Sequence, residues 1–66
     1  HADVYSMPVI TIQMSEGKTA DQKRKVAGEI TRTIAETFGV DPAAVIVIFN
    51  ELPRENIAKS GKLLSD

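Results

Sequence analysis

Cysteine and tryptophan are absent from the 66 residues, and histidine occurs once, at position 1. Without cysteine no disulfide can staple the chain, and without a Cys/His cluster no structural zinc site can form. The aromatic residues are Tyr5, Phe38 and Phe49. No apolar run approaches the roughly 20 residues that a membrane-spanning helix needs, and no apolar segment ahead of Pro8 has the character of a secretory signal. Charge of one sign is missing too: eight Lys and Arg stand against nine Asp and Glu, for a formal net charge of −1. A protein built for polyanions clusters its cations. Here the basic run Lys23-Arg24-Lys25 sits between Asp21 and Glu29 and reads as a solvated helix face. Neither nucleic acid nor membrane is expected as a partner, and a cytoplasmic location is the default expectation.

These absences bear on stability. A chain this short is one domain and buries only about 60% of the surface its unfolded form exposes. Small domains offset that deficit with disulfides, a metal or partner chains. With the first two excluded, a homo-oligomer is expected.

What is present follows one clear order. Pro8 to Met14 reads PVITIQM. Ile10, Ile12 and Met14 alternate with Val9, Thr11 and Gln13, the period of a strand with one apolar face. Proline is tolerated at its first position. After the loop Ser15-Glu16-Gly17-Lys18, the segment Thr19-Ala20-Asp21-Gln22 has the form of a capping box. Val26, Ile30 and Ile34, joined by Ala27, Ala35 and Phe38, form a helical stripe to about Phe38, and Gly39 is a natural stop. Gly28 interrupts the helix at a cost of about 1 kcal/mol relative to alanine, and close packing on the sheet is the expected compensation. Asp41-Pro42 starts a short second turn. Val45 to Phe49 is apolar on both faces, so it is expected to be a strand covered on both sides. One helix cannot do that alone, which again points to a second chain. Asn50 to Asn56, with Pro53, is a loop, and Ile57 to Leu64 around Ser60-Gly61 reads as a small hairpin or arm. The fold class is α+β: a β-α-β protomer with two parallel strands, one long helix and a short C-terminal hairpin.

Residues 1–7 stand apart as an extension, and 8–66 form the domain. The Met7-Pro8 pair resembles a translation start, in which case His1 to Ser6 are a leftover of recombinant production; alternatively they belong to the natural chain. The distinction has chemical consequences. Were Met7 removed, Pro8 would carry a free secondary amine. An α-amino group titrates at about pH 8, and an apolar site or a nearby cation lowers that value toward neutrality. No Ser-His-Asp set, dinucleotide fingerprint or phosphate-binding loop competes for the role. Glu51 and Glu55 are acidic enough for acid–base work, but on a polar loop they read as solubilising.

Pro8-Val9-Ile10-Thr11-Ile12, Glu16-Gly17-Lys18-Thr19, Asp21-Gln22-Lys23 and the segment Glu55 to Asp66 resemble, in order and spacing, the 4-oxalocrotonate tautomerases. The resemblance spans Pro8 to Asp66. It implies β-α-β protomers that pair through their sheets and assemble as hexamers, trimers of dimers. It also implies an amino-terminal proline that moves a proton between an enol and its ketone, with no metal or cofactor. Pro8 falls on that proline. A family arginine that binds the substrate carboxylate falls on Lys18, which keeps the charge but loses the bidentate fork. A second family arginine falls on Ile46, and the aromatic wall of the pocket on Ile57. The expected substrate is therefore a small 2-oxo acid or its enol with a single carboxylate, because Ile46 offers no second cation. Arg54 and Lys59 lie close enough in sequence to be alternative sources of charge. Two other activities stay open on these residues: hydration or dehalogenation of a haloacrylate, with Glu51 or Glu55 activating water, and a catalytically silent oligomeric binding protein of the same fold.

Overall fold

The computed structural model describes residues 7–66; His1 to Ser6, whose origin the sequence leaves open, lie outside the described residues. Strand β1 (Val9–Ser15) leads through a short loop to helix α1 (Ala20–Phe38). A 3-10 turn (Pro42–Ala44) then feeds strand β2 (Ile46–Leu52). After a second 3-10 turn (Arg54–Asn56), strands β3 (Ala58–Lys59) and β4 (Lys62–Leu63) form an antiparallel hairpin. β1 and β2 pair in parallel, from Val9 opposite Ile46 to Ser15 opposite Leu52. The α+β architecture agrees with the sequence pattern.

Local chemistry accounts for the boundaries. The Thr19 hydroxyl accepts from the Gln22 N–H (3.1 Å), and the Gln22 side chain accepts from the Thr19 N–H (3.0 Å). Two donors that the helix start would orphan are thus satisfied. At the other end Gly39 adopts φ +68°, the left-handed stop that alanine would resist. The next N–H, of Val40, reaches back to the Ala35 carbonyl (3.1 Å). Asp41 caps the 3-10 turn through Ala43 N–H (2.9 Å), so β2 begins one residue later than its apolar run, at Ile46. In the hairpin Ser60 and Gly61 both have positive φ, as a two-residue type I′ turn demands.

Packing is thin. Among the described residues only Ala35 and Val40, at the end of α1, fall below a tenth exposed, at 8% each. Alternation turns Ile10, Ile12 and Met14 of β1, with Val47 and Phe49 of β2, toward the helix. The opposite face stays open, with Val9 56%, Ile46 41% and Ile48 45% exposed. Within one chain β2 is therefore covered on one face only, and its other face is the one that the sequence pattern assigned to a second chain. One helix screens one face of a two-stranded sheet, and nothing among the described residues covers the other. On that open face the Asn50 amide donates to Gln13 Oε1 at 2.7 Å, joining two residues that the register places side by side. The radius of gyration is 15.3 Å, against roughly 11 Å for a compact chain of this length. Gly28 corrects another expectation: a Cβ built there would meet nothing within 4 Å, so the helix does not need glycine to approach the sheet.

Candidate active site

Pro8 stands immediately before β1, where its missing N–H deprives the ladder of nothing. Its carbonyl accepts from the Ile46 N–H (2.9 Å), the first hydrogen bond between the two strands. Pro8 is half-buried, and Ile46 projects onto the open face. The structure thus brings together two of the four residues singled out from the sequence. Their surroundings are aliphatic: Val9 pairs with Ile46, and Ile10 with Val47.

Lys18 occupies the loop between β1 and α1, at the far end of the same sheet. That loop is held at both ends. Glu16 N–H donates to the Leu52 carbonyl (3.0 Å) on the strand side, and the Thr19–Gln22 capping box closes the helix side. Lys18 lines an open cleft of about 410 Å3 whose floor is Ile12, Met14, Val26 and Phe49, with Gln22, Lys23 and Lys25 around it. Lys23 differs from the solvated cation expected of it. Its ammonium meets Glu51 Oε1 at 2.6 Å, bridging the first turns of α1 to β2. Glu51 is therefore engaged rather than free to activate water. Arg24 pairs with Asp21 one turn away on the helix.

Ile57 lies beyond β2, also at the Lys18 end. It lines a second cleft, about 330 Å3, with Gln13, Met14, Ser15, Leu52 and Leu64. Leu64 N–H donates to the Ile57 carbonyl (2.9 Å), and an Arg54 guanidinium nitrogen donates to the Leu64 carbonyl (3.1 Å). Arg54 thus fastens the C-terminal arm, and Lys59 is exposed on β3. The sequence carried no sign of the Arg54 bond, because its acceptor is a backbone carbonyl ten residues away. The Lys23–Glu51 pair spans 28 residues and was equally hidden. Gln13 and Asn50 were recoverable once the strands were placed in register.

The four residues therefore fall into two pairs. Pro8 and Ile46 mark one end of the sheet, Lys18 and Ile57 the other. Neither the Lys18 cleft nor the Ile57 cleft includes Pro8 or Ile46. Ile12, the nearest cleft residue to Pro8 along β1, is four residues on, roughly 13 Å at a strand's rise. A lysine side chain does not bridge that gap. One protomer cannot bring all four to one small ligand.

The chain matches the family model described as tautomerase enzyme over residues 8–66. The chain belongs to the tautomerase family. Among its relatives is the 2-hydroxymuconate tautomerase of Bacillus subtilis, 37% identical over 60 residues, covering 91% of this chain and 97% of that one. A crystal structure of a 4-oxalocrotonate tautomerase homologue superposes with TM-score 0.88 at 30% identity, over 91% of this chain and 95% of that one. A heterohexameric 4-oxalocrotonate tautomerase from Chloroflexus aurantiacus gives TM-score 0.82 at 28% identity, over 91% and 97%. Tautomerases are isomerase-type enzymes, and this chain shares their β-α-β fold and C-terminal hairpin. No helix among the described residues is long and apolar enough to cross a membrane.

Proposed function

We propose that this tautomerase interconverts the enol and keto forms of a small 2-oxo acid without a cofactor, using Pro8 as the proton carrier. With a free amine, the Pro8 nitrogen accepts the proton of the enol hydroxyl and, as the ammonium, delivers one to carbon. It ends the cycle unchanged. Lys18 orients the carboxylate, and Ile46 and Ile57 supply apolar walls that disfavour the ammonium form. The observation that best supports this reading is that the family match opens at Pro8, the residue whose nitrogen lies outside the sheet's hydrogen bonding.

Because the two residue pairs lie at opposite ends of one sheet, the working site is shared between copies. One protomer contributes Pro8 and Ile46, and a neighbour running the other way contributes Lys18 and Ile57. A homo-oligomer, a hexamer built as a trimer of dimers, meets this requirement. It also covers the open face carrying Val9, Ile46 and Ile48. A single cation in the site suits a monocarboxylate better than a dicarboxylate.

Ketonisation of phenylenolpyruvate tests the reading, compared between protein beginning at Pro8 and its Pro8→Ala variant. Equal rates would sink it. A second reading follows from Met7. While Met7 is attached, the Pro8 nitrogen is a tertiary amide with no basic lone pair, and the protein is a silent oligomer of the same fold. Intact-mass analysis of the protein from its natural source separates the two: a mass beginning at Pro8 supports the enzyme, and one retaining Met7 supports the silent form.

A further inference from the structure

The position of Lys18 depends on what holds the N-terminal end of α1 against the sheet, and apolar packing there is sparse. The buried residues of the domain lie at the opposite end of the helix, Ala35 within it and Val40 just beyond. At the N-terminal end Val26 remains 42% exposed, and an open cleft separates the helix from Ile12, Met14 and Phe49. Across that gap runs one side-chain link, Lys23 to Glu51 at 2.6 Å, with the two side chains 26% and 31% exposed. The other ion pair among the described residues, Arg24 with Asp21, stays within the helix. Lys23 is tied directly to the Lys18 loop, since its backbone N–H donates to the Thr19 carbonyl (3.1 Å). Glu51 sits opposite Met14 and directly before Leu52, whose carbonyl takes the Glu16 N–H. The pair therefore closes a ring around the loop: β2, Glu51, Lys23, Thr19, Lys18, Glu16 and back to β2.

We propose that Lys23 and Glu51 are positioning residues that set where Lys18 presents its ammonium, and so set affinity for the substrate carboxylate. This rests on the reading of Lys18 as the carboxylate-binding residue. Glu51 also cancels the Lys23 charge beside the cleft, so the carboxylate meets Lys18 without Lys23 competing for it. Neither residue touches the reacting atoms. Their loss changes substrate binding rather than the chemical step.

The experiment uses protein beginning at Pro8, with phenylenolpyruvate as substrate, and compares Lys23→Met, Glu51→Gln, the exchange Lys23→Glu/Glu51→Lys, and Lys18→Met. Either single substitution at the pair raises KM about two- to fivefold, the range open to a partly exposed ion pair, while kcat stays within a factor of two. The exchange variant restores KM by rebuilding the bridge in reverse. Light scattering and thermal unfolding of each variant accompany the kinetics, because a purely structural pair lowers oligomer mass or midpoint and is not rescued in KM alone. An unchanged KM in Lys23→Met beside a raised KM in Lys18→Met overturns the positioning role and leaves Lys18 its function. An unchanged KM in Lys18→Met overturns both. A fall in kcat equal to the rise in KM, or failure of the exchange to rescue, also overturns it.

Discussion

At one end of the β1–β2 sheet, Pro8 and Ile46 meet through the first ladder hydrogen bond among aliphatic neighbours. At the other, Ser15 and Leu52 open onto a loop carrying Lys18 and an arm carrying Ile57, with Lys23, Lys25 and Glu51 close by. The first end is suited to holding an uncharged base, because an aliphatic setting penalises an ammonium. The second is suited to binding an anion. On the proposed reading each protomer then carries two half-sites, and activity depends on assembly.

The most damaging way to break this comparison is at the Pro8 end. Pro8→Ala, in protein beginning at residue 8, is expected to lower the ketonisation rate by about a hundred- to ten-thousandfold, the range for losing a general acid–base group. Thermal unfolding should be little changed. Next is the open face that joins copies. Ile48→Lys replaces an exposed isoleucine whose burial between chains is worth about 2–3 kcal/mol with a charge that resists burial. Sedimentation velocity should show dissociation toward monomer, with activity lost in parallel. If the Ile48→Lys protein keeps its mass, the open face is not the interface.

At the Lys18 end the expected effect is smaller and different in kind. Lys18→Met should raise KM about tenfold, from loss of a charge-assisted hydrogen bond, with kcat affected less. The two ends can then be tested together. When Pro8→Ala and Lys18→Met chains are unfolded, mixed equally and refolded, about a quarter of shared sites receive both native residues under random assembly. Activity should rise above either parent. No gain after verified mixing would place both residues in one chain's site. The smallest effect is expected from Thr19→Ala, which removes the helix cap next to Lys18 at a cost of about 1 kcal/mol, read as a lower urea midpoint.

Much of the fold was legible because its signals are local. Strand alternation in PVITIQM, the Thr19–Gln22 box, Gly39 after Phe38 and Asp41 before Pro42 each act within a few residues, and each acts that way in the structure. Gly28 misled because helix interiors seldom carry a glycine without a contact to justify it, and none is found among the described residues. Lys23 misled for the opposite reason. Its neighbours in sequence mark a solvated face, but its partner Glu51 arrives from β2, 28 residues later. The pairing of Pro8 with Ile46 needed the parallel register, which shifts every partner if displaced by one residue.

By itself the sequence determined the order of elements and their caps, since hydrophobic period and capping chemistry are properties of short segments; the candidate roles of Pro8, Lys18, Ile46 and Ile57 came from the family resemblance. It also pointed toward partner copies, because a 66-residue chain without cysteine has few other ways to offset a small core. Only the tertiary structure decided that the four residues divide between opposite ends of a sheet, that one sheet face stays open, and that Glu51 is held by Lys23. Those are relations between distant segments. They follow from strand register and from the single face that one helix can cover.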